Sequence, residues 1–191
     1  MANTVSNVTA SKPKISGGVY VAPVGTTLPT SADGTLATAF VCLGYIGEDG
    51  ITNNNSMTSN TVKAWGGDTV LTTQSDITDT FDLTLLEGLN VNVLKTVYGD
   101  DCVTGSLSEG LIVIANAEEL MDKSWVIDMI CRGNTLKRIV IPIGKISNKE
   151  SVTYKDDDVA GFGVTVTAFP DATENHATHY EYIKAATSAE G

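Results

Sequence analysis

Residues 77–99 read Ile77-Thr-Asp-Thr-Phe-Asp-Leu-Thr-Leu-Leu-Glu-Gly-Leu-Asn-Val-Asn-Val-Leu-Lys-Thr-Val-Tyr-Gly99, and the hydrophobic period changes inside them. Ile77, Asp79, Phe81, Leu83 and Leu85 share one parity. Thr78, Thr80, Asp82 and Thr84 share the other. That alternation predicts a half-buried strand with a polar outer face. From Leu86 the spacing becomes three and four: Leu86, Leu89, Val93 and Val97, with Leu94 beside them, form one apolar stripe of a helix. Thr84 and Glu87 have capping-box spacing, and Gly99 can close the C-terminus. The predicted helix runs over about 14 residues, or roughly 21 Å.

No other long helical pattern occurs. Gly17–Val24, Phe40–Ile46, Thr61–Trp65, Thr69–Gln74, Leu111–Ala115, Trp125–Cys131, Ile139–Ile143, Ser151–Lys155 and Gly161–Ala168 read as strands. Pro23 puts the end of the first on an edge or at a bulge. Gly66-Gly67 makes a tight turn. Leu111-Ile-Val-Ile-Ala115 is a continuous apolar run, which predicts burial on both faces. Asn116–Leu120 fits one helical turn. Ser151–Lys155 and Gly161–Ala168 form an expected hairpin around the acidic run Asp156-Asp-Asp158. Trp65 and Trp125 fall in strand patterns and read as core anchors. The expected class is mainly β with one helix: an antiparallel sandwich or half-barrel flanked by that helix.

Three segments depart from this pattern. Residues 1–15 read as a polar arm, and 171–191 as a polar C-terminal arm in which Tyr180, Tyr182 and Ile183 can dock. Between them, 16–170 form the β domain. Inside it, 47–60 has two apolar residues, Ile51 and Met57, and is expected to be a long loop that orders against a partner.

The composition narrows the chemistry. The chain has 191 residues, 42% of them hydrophobic, and a net charge of −11. That charge disfavours binding to a nucleic-acid backbone, which needs Lys and Arg. No run reaches the roughly 18 apolar residues of a membrane span. The first residues lack a signal-peptide pattern, so cytoplasmic synthesis is expected. Cys42, Cys102 and Cys131 are far apart and form no zinc or disulfide pattern; Cys42 and Cys131 read as small buried hydrophobes. The only histidines, His176 and His179, lie in the C-terminal arm. With Asp171, Glu174 and Glu181 they are a weak metal motif, and Asp156–Asp158 is an unconvincing calcium motif. No catalytic histidine arrangement can be built on the core strands, so no enzyme and no cofactor are expected.

The phrases Gly17-Gly-Val-Tyr-Val-Ala-Pro-Val-Gly25, Leu43-Gly-Tyr-Ile-Gly-Glu-Asp-Gly50, Trp65-Gly-Gly-Asp68 and Asp79–Asp100, in that order, resemble the major tail protein, or tail tube protein, of long non-contractile-tailed bacteriophages. The resemblance covers 15–170 and is strongest over 15–100. It implies the tail-tube type of half-barrel and subunits that join into hexameric rings with a β-lined channel. Rings stack into a tube that conducts DNA during ejection without binding it. Implied partners are the chain itself, a tape-measure protein, a tail terminator and tail-tip or distal tail proteins. The implied location is the virion tail, assembled in the host cytoplasm. The 47–60 segment would contact the neighbouring ring through Glu48, Asp49, Gly50, Ile51, Asn54 and Met57. Candidates for an acidic channel wall or surface are Asp79, Asp82, Asp156, Asp157 and Asp158. Deleting 50–58 is then expected to spare the fold and block assembly. The alternative is a β-sandwich binding module, carbohydrate-binding or capsid-decorating, using Trp65, Tyr45 and Tyr154.

Overall fold

The computed structural model describes residues 3–14, 17–157 and 159–185, with side chains for all of these but Ser6. Eleven strands and one α-helix lie among them: β1 Ser11–Pro13, β2 Val19–Pro23, β3 Val41–Cys42, β4 Ile46–Lys63, β5 Thr69–Leu85, α1 Val91–Tyr98, β6 Val103–Ser106, β7 Gly110–Val113, β8 Lys123–Cys131, β9 Leu136–Lys149, β10 Phe162–Phe169 and β11 Tyr180–Lys184. Nine strands form one sheet in the order β3-β2-β8-β9-β10-β5-β4; β1 also pairs with β8, and β11 with β9. All the pairings are antiparallel. The mainly β, single-helix class expected from the sequence is the class observed.

The sheet folds over at β9. Its first half, Leu136–Val140, pairs with β11; its second, from Ile143, pairs with β10. Pro142 sits at the changeover, where neither neighbour asks for the amide proton it lacks. Val19, Val21, Trp125, Ile127, Ile139 and Ile141 of one half therefore meet Phe81, Leu83, Leu85, Val164 and Val166 of the other in a single core. Val93, Leu94 and Val97 of α1 close it. Neither β3 nor β4 finds a further strand among the described residues, so the half-barrel stays open.

The strand-to-helix element is observed with a shorter helix. Asp79, Phe81, Leu83 and Leu85 are buried and alternate with partly exposed neighbours, as read. The helix begins at Val91, not Leu86, and is about 12 Å long. Leu86 still donates its amide to the Tyr45 carbonyl at 3.0 Å, which continues the strand. Glu87 is taken by the Tyr45 amide and the Asn90 side chain. Asn90 then caps the helix by accepting from the Asn92 amide at 3.0 Å. Gly44 makes the Glu87 contact possible: a Cβ there would lie 1.9 Å from the Glu87 carboxyl carbon, at a φ of 76°.

The outer face of β2-β8-β9 is not a solvent face. Leu28, Leu36, Ala37 and Phe40 cover it from one side, and Tyr20, Tyr180 and Tyr182 pack with them on Ala22, Val126 and Val140. Under this cover Arg138 is 2% exposed and Asp128 4%. They are direct cross-strand partners. Arg138 donates Nε to Asp128 Oδ1 at 2.6 Å and Nη2 to Oδ2 at 2.7 Å, and its Nη1 donates to the carbonyls of Ser31 and Gly34.

Several expectations are corrected. Leu111–Ala115 is not a doubly buried strand: β7 pairs only with β6 in a separate ribbon, and Ile112 and Ile114 are exposed. Residues 116–120 form no helical turn, and Ser151–Lys155 is not a strand, because β10 takes β5 and β9 as partners instead. Trp125 is a core residue, but Trp65 is fully exposed at a turn. The polar stretch 47–60 is not a loop but most of β4. Its ladder partner, Thr69–Leu85, is itself Thr-rich and extended, and pairing with it satisfies a backbone that has no buried face to give a period.

Candidate functional site

Strands β4 and β5 are far longer than the body they start from. Ile51↔Leu83 and Asn53↔Phe81 belong to the body, where β10 supports β5 over 80–85. Beyond Thr80, β5 has only β4 beside it, so the hairpin continues as a two-stranded arm to Lys63↔Thr69. From Thr52 to Thr78 every residue is exposed. The nine ladder pairs beyond Asn54↔Thr80 give a projection of about 30 Å. The tip is closed by the Ala64 amide on the Asp68 carbonyl at 2.8 Å, with Gly66 and Gly67 at φ 117° and 98°. Only glycine takes such angles freely.

Threonine, valine and isoleucine give the arm β propensity, but an isolated two-stranded ribbon is marginal in water. This one also carries unburied apolar side chains. Met57 and Ile77 lie directly opposite each other, 63% and 56% exposed. Val62 faces Leu71, and Trp65 stands at the tip. Ile77 continues the core parity of β5 after the body that would have covered it has ended. Of the predicted contact residues, Glu48, Asp49 and Gly50 are exposed in an irregularity at the arm's foot, where the register jumps between Ile46 and Ile51. They line a groove of about 520 Å³ toward Lys12, Gly18 and Met129. Ile51 is half-buried, and Asn54 and Met57 are on the arm itself.

The root is fixed by Asp79, which is 1% exposed and so is not the channel or surface acid expected. It keeps the inward parity of β5, and polar neighbours satisfy it there. It accepts from Asn53 Nδ2 at 2.7 Å, Thr178 Oγ1 at 2.6 Å and His179 Nδ1 at 2.6 Å, and the His179 ring meets Phe81 edge-on. One carboxylate thus ties the arm strand to the C-terminal segment. Replacing it by asparagine presents an amide to three donors and is expected to lower the unfolding free energy by about 1–3 kcal/mol, read by urea denaturation. No measurable change would contradict this role.

The C-terminal segment docks more fully than its polarity suggested. β11 pairs with Leu136–Val140 of β9, and Lys184 pairs with Asp33. Before it, Asp171 organises a turn. The Tyr180 hydroxyl foremost, then the Thr173 hydroxyl and the amides of Ala177 and Thr173, hold its carboxyl below the usual carboxylate range. Because the folded value lies below the unfolded one, this turn is fully supported above the ordinary carboxylate range and weakens as pH falls through the folded value.

Outward from the core, β4, β5, β10 and β9 present a polar face. Asp82 accepts from Asn54 Nδ2 at 2.7 Å and Thr165 Oγ1 at 2.6 Å; Thr167 donates to Ser147 at 2.7 Å. Asp156 and Asp157 are exposed in the connection before β10, and Asp158 lies outside the described residues. Tyr45 and Tyr154 are exposed, but Tyr45 is at the foot of the arm and Trp65 at its tip, some ~45 Å apart along the strand, so Trp65 and Tyr45 form no single sugar platform. Among the described residues no group of three or more His, Cys, Asp and Glu could hold a metal ion. The arm was missed by sequence reasoning, although the turn signal at Gly66-Gly67 between two Thr-rich runs was there to find it.

A family model described as "Phage tail tube protein" matches residues 2–190. No curated protein matches the sequence. Among solved structures, the tube-terminating cap of the anti-feeding prophage, determined by cryo-electron microscopy, is 12% identical, with 97% of this chain and 100% of that chain covered and a TM-score of 0.44.

Proposed function

From the premise that the chain belongs to the phage tail tube protein family, and is therefore a structural component of a phage tail, we propose that its copies close into hexameric rings that stack into a DNA-conducting tube. The observation that carries this reading is the arm. It is a ribbon with open backbone edges and unburied Met57, Ile77, Val62, Leu71 and Trp65, and it needs a neighbour. The open flanks at β3 and β4 supply edges along which half-barrels can join. Glu48, Asp49, Gly50, Ile51, Asn54 and Met57 keep their proposed role at the contact between rings, now on a strand.

In this reading the polar face of β4-β5-β10-β9 lines the channel. Its hydroxyls and amides are engaged with one another, and its acid, Asp82, repels phosphate instead of binding it. Asp156, Asp157 and Asp158 add charge of the same sign. A tape-measure protein, a terminator and tail-tip proteins would bound the tube, with assembly in the bacterial cytoplasm. Negative-stain electron microscopy of concentrated protein, with and without a tail-tip template, is expected to show rings or tubes. A chain that stays monomeric under both conditions would contradict the proposal.

A further inference from the structure

The run Leu111–Ile114 has the composition of a strand covered on both faces, yet this chain half-buries only Leu111 against the core and leaves the face of Ile112 and Ile114 uncovered. Ile112 is 62% exposed, Ile114 53%, and Leu107 in the turn before them 60%. The β6–β7 ribbon pairs with no other strand among the described residues. The distal arm is in the same condition, and the two ribbons share no pairing within the chain. An open edge and an unburied apolar face are satisfied together when one ribbon aligns with another, through main-chain hydrogen bonds and side-chain pairs.

Charge selects the occupant. The whole chain carries −11, so two copies repel over most of their surface. The two ribbons are exceptions. Residues 103–115 contain one charged side chain, Glu109; residues 51–78 contain Lys63, Asp68 and Asp76, a net of −1. These are the surfaces on which equally charged copies approach at least cost. Because arm and ribbon are different surfaces, the contact is heterologous and propagates from copy to copy instead of closing as a pair.

We propose that the β6–β7 ribbon of one copy receives the distal arm of the next, with Ile112 and Ile114 set against Trp65 and the Val62–Leu71 pair. The identity of the occupant rests on the self-assembly reading above; the ribbon's need for cover does not. The test uses full-length chains carrying Trp65→Cys or Ile112→Cys, mixed and oxidised. The native Cys102 and Cys131 are buried; Cys42 is half-buried and is replaced by serine in every variant, which keeps background low. The mixture is expected to give a disulfide-linked dimer at least about tenfold above either variant alone and above a control pair of Trp65→Cys with Tyr154→Cys. In parallel, Ile112→Asp is expected to keep the wild-type melting temperature and lose assembly. Tubes from the wild type, with no mixed cross-link and normal assembly of Ile112→Asp, would overturn the ribbon assignment and leave the tube reading standing. Mixed cross-links from a wild type that never forms tubes would uphold the ribbon and sink the tube.

Discussion

Asp128→Ala is expected to lower the unfolding free energy by about 3–5 kcal/mol, the cost of leaving a buried guanidinium without its carboxylate. Arg138 is the second-largest of the fully buried side chains, after Trp125. It is fixed at both ends: two hydrogen bonds to Asp128 across the β8–β9 ladder, and two to the carbonyls of Ser31 and Gly34. The second pair pins the 24–40 segment over the outer sheet face. Removing Asp128 leaves the charge in place with water unable to replace its partner, since Val126, Val140, Phe40 and the tyrosines enclose that side. For a chain of this size the loss corresponds to roughly 6–20 °C in melting temperature. Urea denaturation should shift the midpoint at constant slope. Joint replacement, Asp128→Leu with Arg138→Met, is expected to cost less than Asp128→Ala, because no unpaired charge remains. A change under 1 kcal/mol in the single variant, or a double variant worse than it, would show that the pair does not hold this layer.

How far such features can be read in advance depends on whether a face is covered by the same strand pair or by something distant. Phe81, Leu83 and Leu85 were legible because the body covers one face of β5 and leaves the other wet, so burial follows parity. Asp128 has the parity opposite Trp125, Ile127 and Met129, and that logic alone would make its face a wet one. It is buried because Leu28, Leu36 and Phe40, some ninety residues earlier, and Tyr180 and Tyr182, fifty residues later, lie over it. Leu111–Ile114 failed in the opposite direction: its composition anticipates cover that one chain does not provide. The helix start slipped because Asn90 caps closer to the apolar stripe than the Thr84–Glu87 box, whose acid is spent on Tyr45. The arm was illegible for a simpler reason. With every residue from 52 to 78 exposed, no periodicity is imposed on it, and only its turn and its β-rich partner remain as signals. The contact residues named from the sequence nonetheless fall on or beside that arm, whereas Asp79 moves from the acidic surface to its root.

Excising the arm is expected to abolish assembly while leaving the folded body nearly unchanged. The sequence suggested a cut at 50–58, but Ile51–Asn55 are the ladder partners of Asp79–Leu83, and Asn53 holds Asp79. That deletion would strip a core strand of its neighbour. The register places the boundary farther out. Ser56 lies opposite Thr78, so replacing 57–77 by Asn-Gly joins the strands through a two-residue turn without shifting any pair below it. Every residue removed is exposed, so unfolding free energy is expected to change by no more than about 1 kcal/mol, within the range of surface substitutions. Circular dichroism and the urea midpoint would report the body; sedimentation and electron microscopy would report assembly. The shortened chain should remain monomeric at concentrations where the full chain forms rings or tubes, and it should not compete with the full chain for a growing end that needs an arm to extend. Tubes built by the shortened chain would move the inter-copy contact off the arm and onto the β3 and β4 flanks alone.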